Sequence, residues 1–248
     1  MTVVDVDARW VWAYAAGLGL SDPAYFSAAP VVHPVFPVCV EWDTVSRLPA
    51  DGVGVHYAHD LTLHRRLRVP MQVTLSVEAG PSYTHRAGRL ATTIVTATSD
   101  GEELWATRMT SLFLGAASSG EAAPPPPPLV TDPVGQVDVP IAAGAAHVYT
   151  ACARIWNPIH TDPSVAAAAG LPAPILHGTA TLATAVSHVL SHTGWSGADV
   201  ARIEGSFGAM VPMPSTLTVR FGALPGTFDV LLPDGRPAVR GGRVTPRA

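Results

Sequence analysis

Hydrophobic and polar positions change period several times along the chain. Residues 71–78 (MQVTLSVE) alternate in part, residues 90–98 (LATTIVTAT) are β-branched, and residues 104–114 (LWATRMTSLFL) continue the pattern. These segments predict long strands, with turns at Gly80-Pro81 and Ser99-Asp100-Gly101. Beyond the middle, the same reading predicts strands at 146–154, 200–210, 216–221, 227–232 and 237–244, with turns at Pro225-Gly226 and Pro233-Asp234-Gly235. Between the first two of these, residues 179–192 switch to a helical period. Leu182, Ala185, Val186, Val189 and Leu190 share one face there. Each half of the chain therefore reads as a helical region followed by β-rich segments.

The break between the halves is residues 115–134, GAASSGEAAPPPPPLVTDPV. Five consecutive prolines, Pro124 to Pro128, join neither a helix nor the middle of a sheet and favour an extended spacer. A ligand for a proline-binding domain is the other reading, but no basic residue flanks the run. The organisation expected is an α+β unit in 1–114, a proline-rich linker in 115–134 and a second α+β unit in 135–248. Each unit wraps a curved antiparallel sheet around a helix. Two such sheets joining edge to edge remove two exposed edges and make one pseudo-symmetric body.

Composition narrows the function. Hydrophobic residues make up 48% of the 248 and charged residues 14%, too apolar for a disordered chain. A net charge of -4 with no basic cluster argues against nucleic acid as a partner. Cys39 and Cys152 are too few for a disulfide framework or a cysteine-rich zinc site, and Cys152, flanked by alanines, reads as a small buried hydrophobe. His188 and His192 lie four residues apart, yet no third metal ligand accompanies them and they read as polar residues of a helix surface. No apolar run is long enough to span a bilayer, and MTVVDVDARW lacks a signal pattern, so a cytoplasmic protein without membrane contact is expected.

The chemistry lies in residues 149–183, YTACARIWNPIHTDPSVAAAAGLPAPILHGTATLA. Asp162-Pro163 is a strong helix start, and the short helix it opens, 163–169, stops at Gly170. Pro172 and Pro174 then impose an extended approach to His177 and Gly178, where the long helix begins. The backbone N–H of Gly178 and the positive end of that helix form an oxyanion-type donor, and the small residues Thr179, Ala180 and Thr181 let another group approach. His160 stands on a loop pinned by Asn157 and Pro158, where an imidazole can move a proton near neutral pH. A fixed imidazole facing such a donor suits proton transfer beside a thioester carbonyl.

The ordered set Asn157-Pro158-Ile159-His160, Asp162-Pro163, Ala169-Gly170 and Pro174-Ile175-Leu176-His177-Gly178 resembles the MaoC-like hydratase family, which includes (R)-specific enoyl-CoA hydratases and 3-hydroxyacyl thioester dehydratases. Residues 34–38 (PVFPV), Glu41-Trp42 and residues 59–67 (HDLTLHRRL) look like the degenerate N-terminal unit of double hot-dog members. The resemblance implies a double hot-dog fold and no cofactor. It implies an acyl thioester substrate, on coenzyme A or an acyl carrier protein, and allows a homodimer. His160 and Asn157 become the catalytic candidates, with His177, Gly178, Ile155 and Trp156 around the substrate.

One departure matters. The family places an aspartate two residues before the Asn-Pro pair, where this chain has Ile155. Three readings follow. The protein still dehydrates or hydrates, drawing an acid from the first half, where Tyr57, His59, Asp60 and His64 are candidates. Alternatively, the site is repurposed for isomerisation, epimerisation or ring closure. In the third, catalysis is lost and the protein binds an acyl group. Hot-dog thioesterases use a carboxylate and carry no Asn-Pro-Ile-His segment. The three arginines Arg65, Arg66 and Arg68 at a strand end read as solvated rather than as a phosphate clamp, and Arg154 as pointing away from the pocket.

Overall fold

The computed structural model describes residues 1–48, 54–117 and 120–248. The elements run β1 (Thr2–Val6), α1 (Ala8–Gly17), α2 (Pro37–Val45), β2 (Gly54–Leu63), β3 (Met71–His85), β4 (Gly88–Ser99) and β5 (Glu102–Leu114) in the first half. The second half carries β6 (Gly135–Ile141), α3 (Ala145–Ala153), α4 (Pro163–Ala168), α5 (Gly178–Thr193), β7 (Val200–Phe207), β8 (Ser215–Phe221), β9 (Thr227–Leu231) and β10 (Pro237–Pro246). All strands belong to one ten-stranded sheet in the order β1-β3-β4-β5-β2-β7-β10-β9-β8-β6. Read from its two outer ends inward, each half repeats the same connectivity, and β2 meets β7 at the centre. The edge-to-edge joining expected from the sequence is this antiparallel seam, Ala58–Thr62 against Ser206–Arg202.

Local chemistry explains the long strands. Asp100 (φ 51°) and Gly101 (φ 79°) form the two-residue turn between β4 and β5, a left-handed pair that Asp-Gly adopts readily. Inward positions of β5 alternate as Trp105, Thr107 and Met109, all buried. In the second half α5 buries Leu182, Ala185, Val186, Val189 and Leu190 against β8, β9 and β10, the face its period predicts.

Residues 146–154, expected as a strand, are the helix α3. Ala146, Tyr149, Thr150 and Ala153 are its buried positions, a helical spacing within a run of alanines that favours helix. Arg154 ends it in the left-handed conformation (φ 57°) and lays its guanidinium 4.1 Å over the Trp10 ring. The expected opposition of Arg154 and Ile155 across a strand therefore does not exist, although Arg154 does point away from the cavity. Strands β1, β2 and β6 had no counterpart in the sequence reading. Among the described residues no helix is long and apolar enough to cross a membrane.

The proline-rich segment is extended but tethered along the molecule. Thr84 N–H donates to Glu121 O (2.8 Å) and Ala123 N–H to Thr84 O (2.9 Å), while Pro127 packs on Gly241. Val130 N–H donates to Asp229 Oδ2 (2.9 Å), and Arg220 grips the same carboxylate through Nε (2.8 Å) and Nη2 (2.6 Å). Asp229 is fully buried. Substituting Arg220→Leu leaves that carboxylate without its counter-charge and is expected to cost about 3–5 kcal/mol, read as a lower urea midpoint. A second change, Asp229→Asn, should recover part of the loss; a single variant as stable as the parent contradicts this role.

Candidate active site

The Asn-Pro-Ile-His segment folds as a 3-10 turn, Pro158–His160. The Asn157 side chain caps it, accepting from Ile159 N–H at 3.4 Å, and Asp162 caps α4 by accepting from Ser164 N–H at 2.7 Å and the Ser164 hydroxyl at 2.6 Å. His160 Nδ1 lies 2.8 Å from the carbonyl oxygen of Ile175. A carbonyl only accepts, so Nδ1 carries the hydrogen and the neutral ring keeps its lone pair on Nε2. Burial lowers the His160 pKa below 6.5, partly offset by that carbonyl, so the neutral ring is the favoured form.

His177 stacks on His160 with ring centroids 3.7 Å apart and planes at 28°. Its Nε2 shares a hydrogen bond of 3.3 Å with Thr150 Oγ1. Burial, and then the charge of a protonated His160, press the His177 pKa down to about 2, against a raising contribution from the Ile155 backbone. Two cations cannot share such a stack, and both rings are held neutral. His177 is also the residue before α5, so the pair sits at that helix's N-terminus, whose first N–H groups have no partner within the helix. A Cβ on Gly178 would stand 3.2 Å from the Phe207 ring, so glycine lets the strand β7 aromatic press on the start of α5. Tyr149 O–H donates to Thr179 Oγ1 (3.2 Å) beneath it.

These groups open into a cavity of about 1520 Å³ that runs across both halves. Asn157, His160, His177, Gly178 and Ile155 all line it. Ile155 is buried and makes part of the apolar core as well. Trp156, expected to contact substrate, is 65% exposed and stands outside the lining. The left-handed turn at Arg154 ends α3 and leaves Trp156 at the surface while Ile155 goes inward.

The candidate acids of the first half do not converge on His160. Asp60 is held from the neighbouring strand by Arg202 Nε (2.8 Å) and Nη2 (2.9 Å), and His64 pairs with Glu103 (2.9 Å). His59 is buried outside the cavity lining, and Tyr57 alone of the four lines it. Arg65 pairs with Glu102 and Arg66 with Asp199 (2.5 Å), and neither lines the cavity. His192 stacks on Phe221 at 4.1 Å.

Among the polar wall residues that sequence reading missed are His56 and Glu41. His56 donates Nε2–H to Ala58 O (3.1 Å) and lies 4.6 Å from the Phe207 ring. Glu41 is fully buried, and its Oε1 accepts from Trp105 Nε1–H (2.7 Å) and the Thr107 hydroxyl (2.5 Å). Burial raises its pKa to about 7, the two donors opposing. The available signal was a carboxylate inside the apolar helical run PVCVEW. Among the described residues Glu41 and Glu78 are the carboxylates that line the cavity, both from the first half.

Comparison with known proteins agrees with this geometry. Residues 128–223 match the MaoC like domain. The 3-hydroxyacyl-thioester dehydratase X of Mycobacterium tuberculosis is 28% identical over 232 residues, covering 92% of this chain and 80% of the relative. A MaoC-like dehydratase from Phytophthora capsici superposes with a TM-score of 0.85 at 20% identity, over 98% of this chain and 94% of that one. A Mycobacterium tuberculosis protein described as a double hotdog fold superposes with a TM-score of 0.59 at 14% identity, over 98% and 92%. With a sheet of two connected halves, a helix held in each and the Asn-Pro-Ile-His turn at the cavity, this chain has a double hot-dog fold and carries in its second half a segment that matches the MaoC like domain.

Proposed function

We propose that the protein interconverts 3-hydroxyacyl and 2-enoyl thioesters, carried on coenzyme A or an acyl carrier protein, with His160 as the proton-transfer group. The observation that carries this reading is the Nδ1–H bond to the Ile175 carbonyl, which leaves Nε2 as a base beside the start of α5. In the hydration direction, water adds to the β-carbon of the enoyl thioester and gives a proton to Nε2. The electron pair moves to the thioester oxygen, where the Gly178 N–H and the helix dipole stabilise the enolate. The imidazolium then returns the proton to the α-carbon, so one imidazole serves both transfers. Asn157 has its side-chain oxygen engaged by Ile159 N–H, which leaves its amide N–H groups to hold the water.

A second reading is supported by Ile155. An apolar side chain in the position of the family's aspartate, with no carboxylate among the described residues bonded to His160, favours chemistry without water. Double-bond isomerisation, epimerisation or ring closure needs one base and one oxyanion donor. Product analysis separates this from hydration: incorporation of solvent oxygen supports the first reading, and rearrangement without it supports the second.

Under either chemistry, His160→Ala should lower kcat/KM by about 10²–10⁴-fold with the fold retained, and unchanged turnover removes His160 from the mechanism. The base must be neutral, so kcat/KM should fall on acidification with its limb below pH 6.5, the direction in which burial moves this imidazole. A limb above that value would assign it to another group. Substituting Ile155→Asp restores a water-holding carboxylate and should raise hydration of a crotonyl thioester at least about tenfold, at some cost in stability. No gain in a folded variant would show that the missing acid is not what limits hydration.

A further inference from the structure

A water that adds to the β-carbon has two O–H groups to place, and His160 Nε2 takes one of them. The groups next to His160 supply no acceptor for the other. The Asn157 oxygen is engaged by Ile159 N–H, and Ile155 is apolar. His177 Nε2 is bonded to Thr150 Oγ1, and its Nδ1 is sealed from the cavity. The first half offers one. His56 lines the cavity from β2, the strand directly beside β7, and its ring lies 4.6 Å from that of Phe207, which packs on Gly178 at the start of α5. Other polar wall residues of the first half stand farther along the sheet. Arg89 is on β4 and Glu78 and His85 are on β3, the third and fourth strands from β7. Tyr57 packs with His85, their ring centroids 5.7 Å apart. Because Nε2–H of His56 donates to Ala58 O at 3.1 Å, this ring keeps its lone pair on Nδ1. Both nitrogens of the neighbouring His59 are sealed without a partner, whereas Nδ1 of the half-buried His56 is not sealed.

We propose that His56 Nδ1 accepts a hydrogen bond from the oxygen at position 3, the water before addition and the 3-hydroxyl after it, so that the first half supplies the acceptor that Ile155 does not. The inference rests on the hydration reading of the same cavity and adds a second substrate-binding imidazole. In the step itself the water oxygen bonds to the β-carbon and one of its protons passes to His160 Nε2. The other proton stays on the oxygen and points to His56 Nδ1, so His56 neither gains nor loses a proton. Burial, and then the nearby His59, lower the His56 pKa to about 3, which leaves the ring an acceptor throughout the neutral range.

Two substitutions separate this role from a structural one. His56→Asn places an oxygen near the position of Nδ1 and gives up the bond to Ala58, while His56→Gln keeps an N–H for that bond and gives up the acceptor. In hydration of crotonyl-CoA, His56→Gln should lower kcat/KM about tenfold or more, and His56→Asn should stay within about threefold of the parent. The reverse order, or a Gln variant as fast as the parent, overturns the proposal. A binding measurement covers variants that do not fold. With His160→Ala stopping turnover, 3-hydroxybutanoyl-CoA in each enantiomer is compared with butanoyl-CoA by titration calorimetry and by nitrogen-15 NMR of labelled histidines. One enantiomer should bind about three- to tenfold more tightly than butanoyl-CoA and should shift the signal of an imidazole protonated on Nε2. Equal affinities, or a preference without that shift, overturn the proposal. The binding arm involves no turnover. A protein that hydrates crotonyl-CoA without these effects loses only this inference, and one that shows the binding preference and the shift without hydrating loses only the proposed function.

Discussion

The pairing of β2 with β7 is the interaction on which the rest of the molecule depends. Each half-sheet of five strands would otherwise end in an open inner edge, with backbone donors and acceptors facing water or another chain. Pairing Ala58–Thr62 with Ser206–Arg202 removes both edges at once, and the bidentate Arg202–Asp60 contact spans the seam. The seam also reaches the candidate site. His56 on β2 touches Phe207 on β7, and Phe207 presses on Gly178 at the start of α5. The first half thus supports the terminus where the second half keeps its histidines.

The halves share connectivity but have diverged in chemistry. In the second half the 16-residue helix α5 begins at the cavity and presents its positive end there. In the first half the corresponding place is taken by the 9-residue helix α2, begun by Pro37, which brings a buried carboxyl instead. The histidine pair and the carboxyl are both shaped by burial, in opposite senses. Desolvation disfavours charge, so it lowers the imidazoles and raises the acid. Where the cavity holds neutral bases at one place and a near-neutral acid at another, desolvation disfavours charged groups. Ile155, buried and apolar, continues that character along the cavity wall beside Asn157.

Much of this was legible in the chain, where neighbours in sequence are also partners in space. The Asp100-Gly101 turn, the Asp162 cap, the period of α5 and the Asn-Pro-Ile-His turn depend on residues a few positions apart. Other features were not. The apolar run that forms α3 has little contrast between faces, and its helical state follows from packing on α1. The strand β2 is only partly buried along its length, because it is defined by two long-range partners rather than by its own alternation. Trp156 looked like a pocket aromatic until the left-handed residue before Ile155 turned it to solvent.

The sequence by itself determined the two-part layout, the extended crossing between the parts, the helix starts and stops, and the identity of His160 as the titratable group of its motif. Each of these is carried by backbone preferences or by short spacings. Only the tertiary structure decided which imidazole nitrogen is free, that His177 stacks on His160, that the proline-rich segment is tied down by Asp229 and Gly241, and that Glu41 is buried with one oxygen unpartnered. Those outcomes depend on burial and on partners up to about a hundred residues apart in the chain, and desolvation acts only once the surrounding walls are in place.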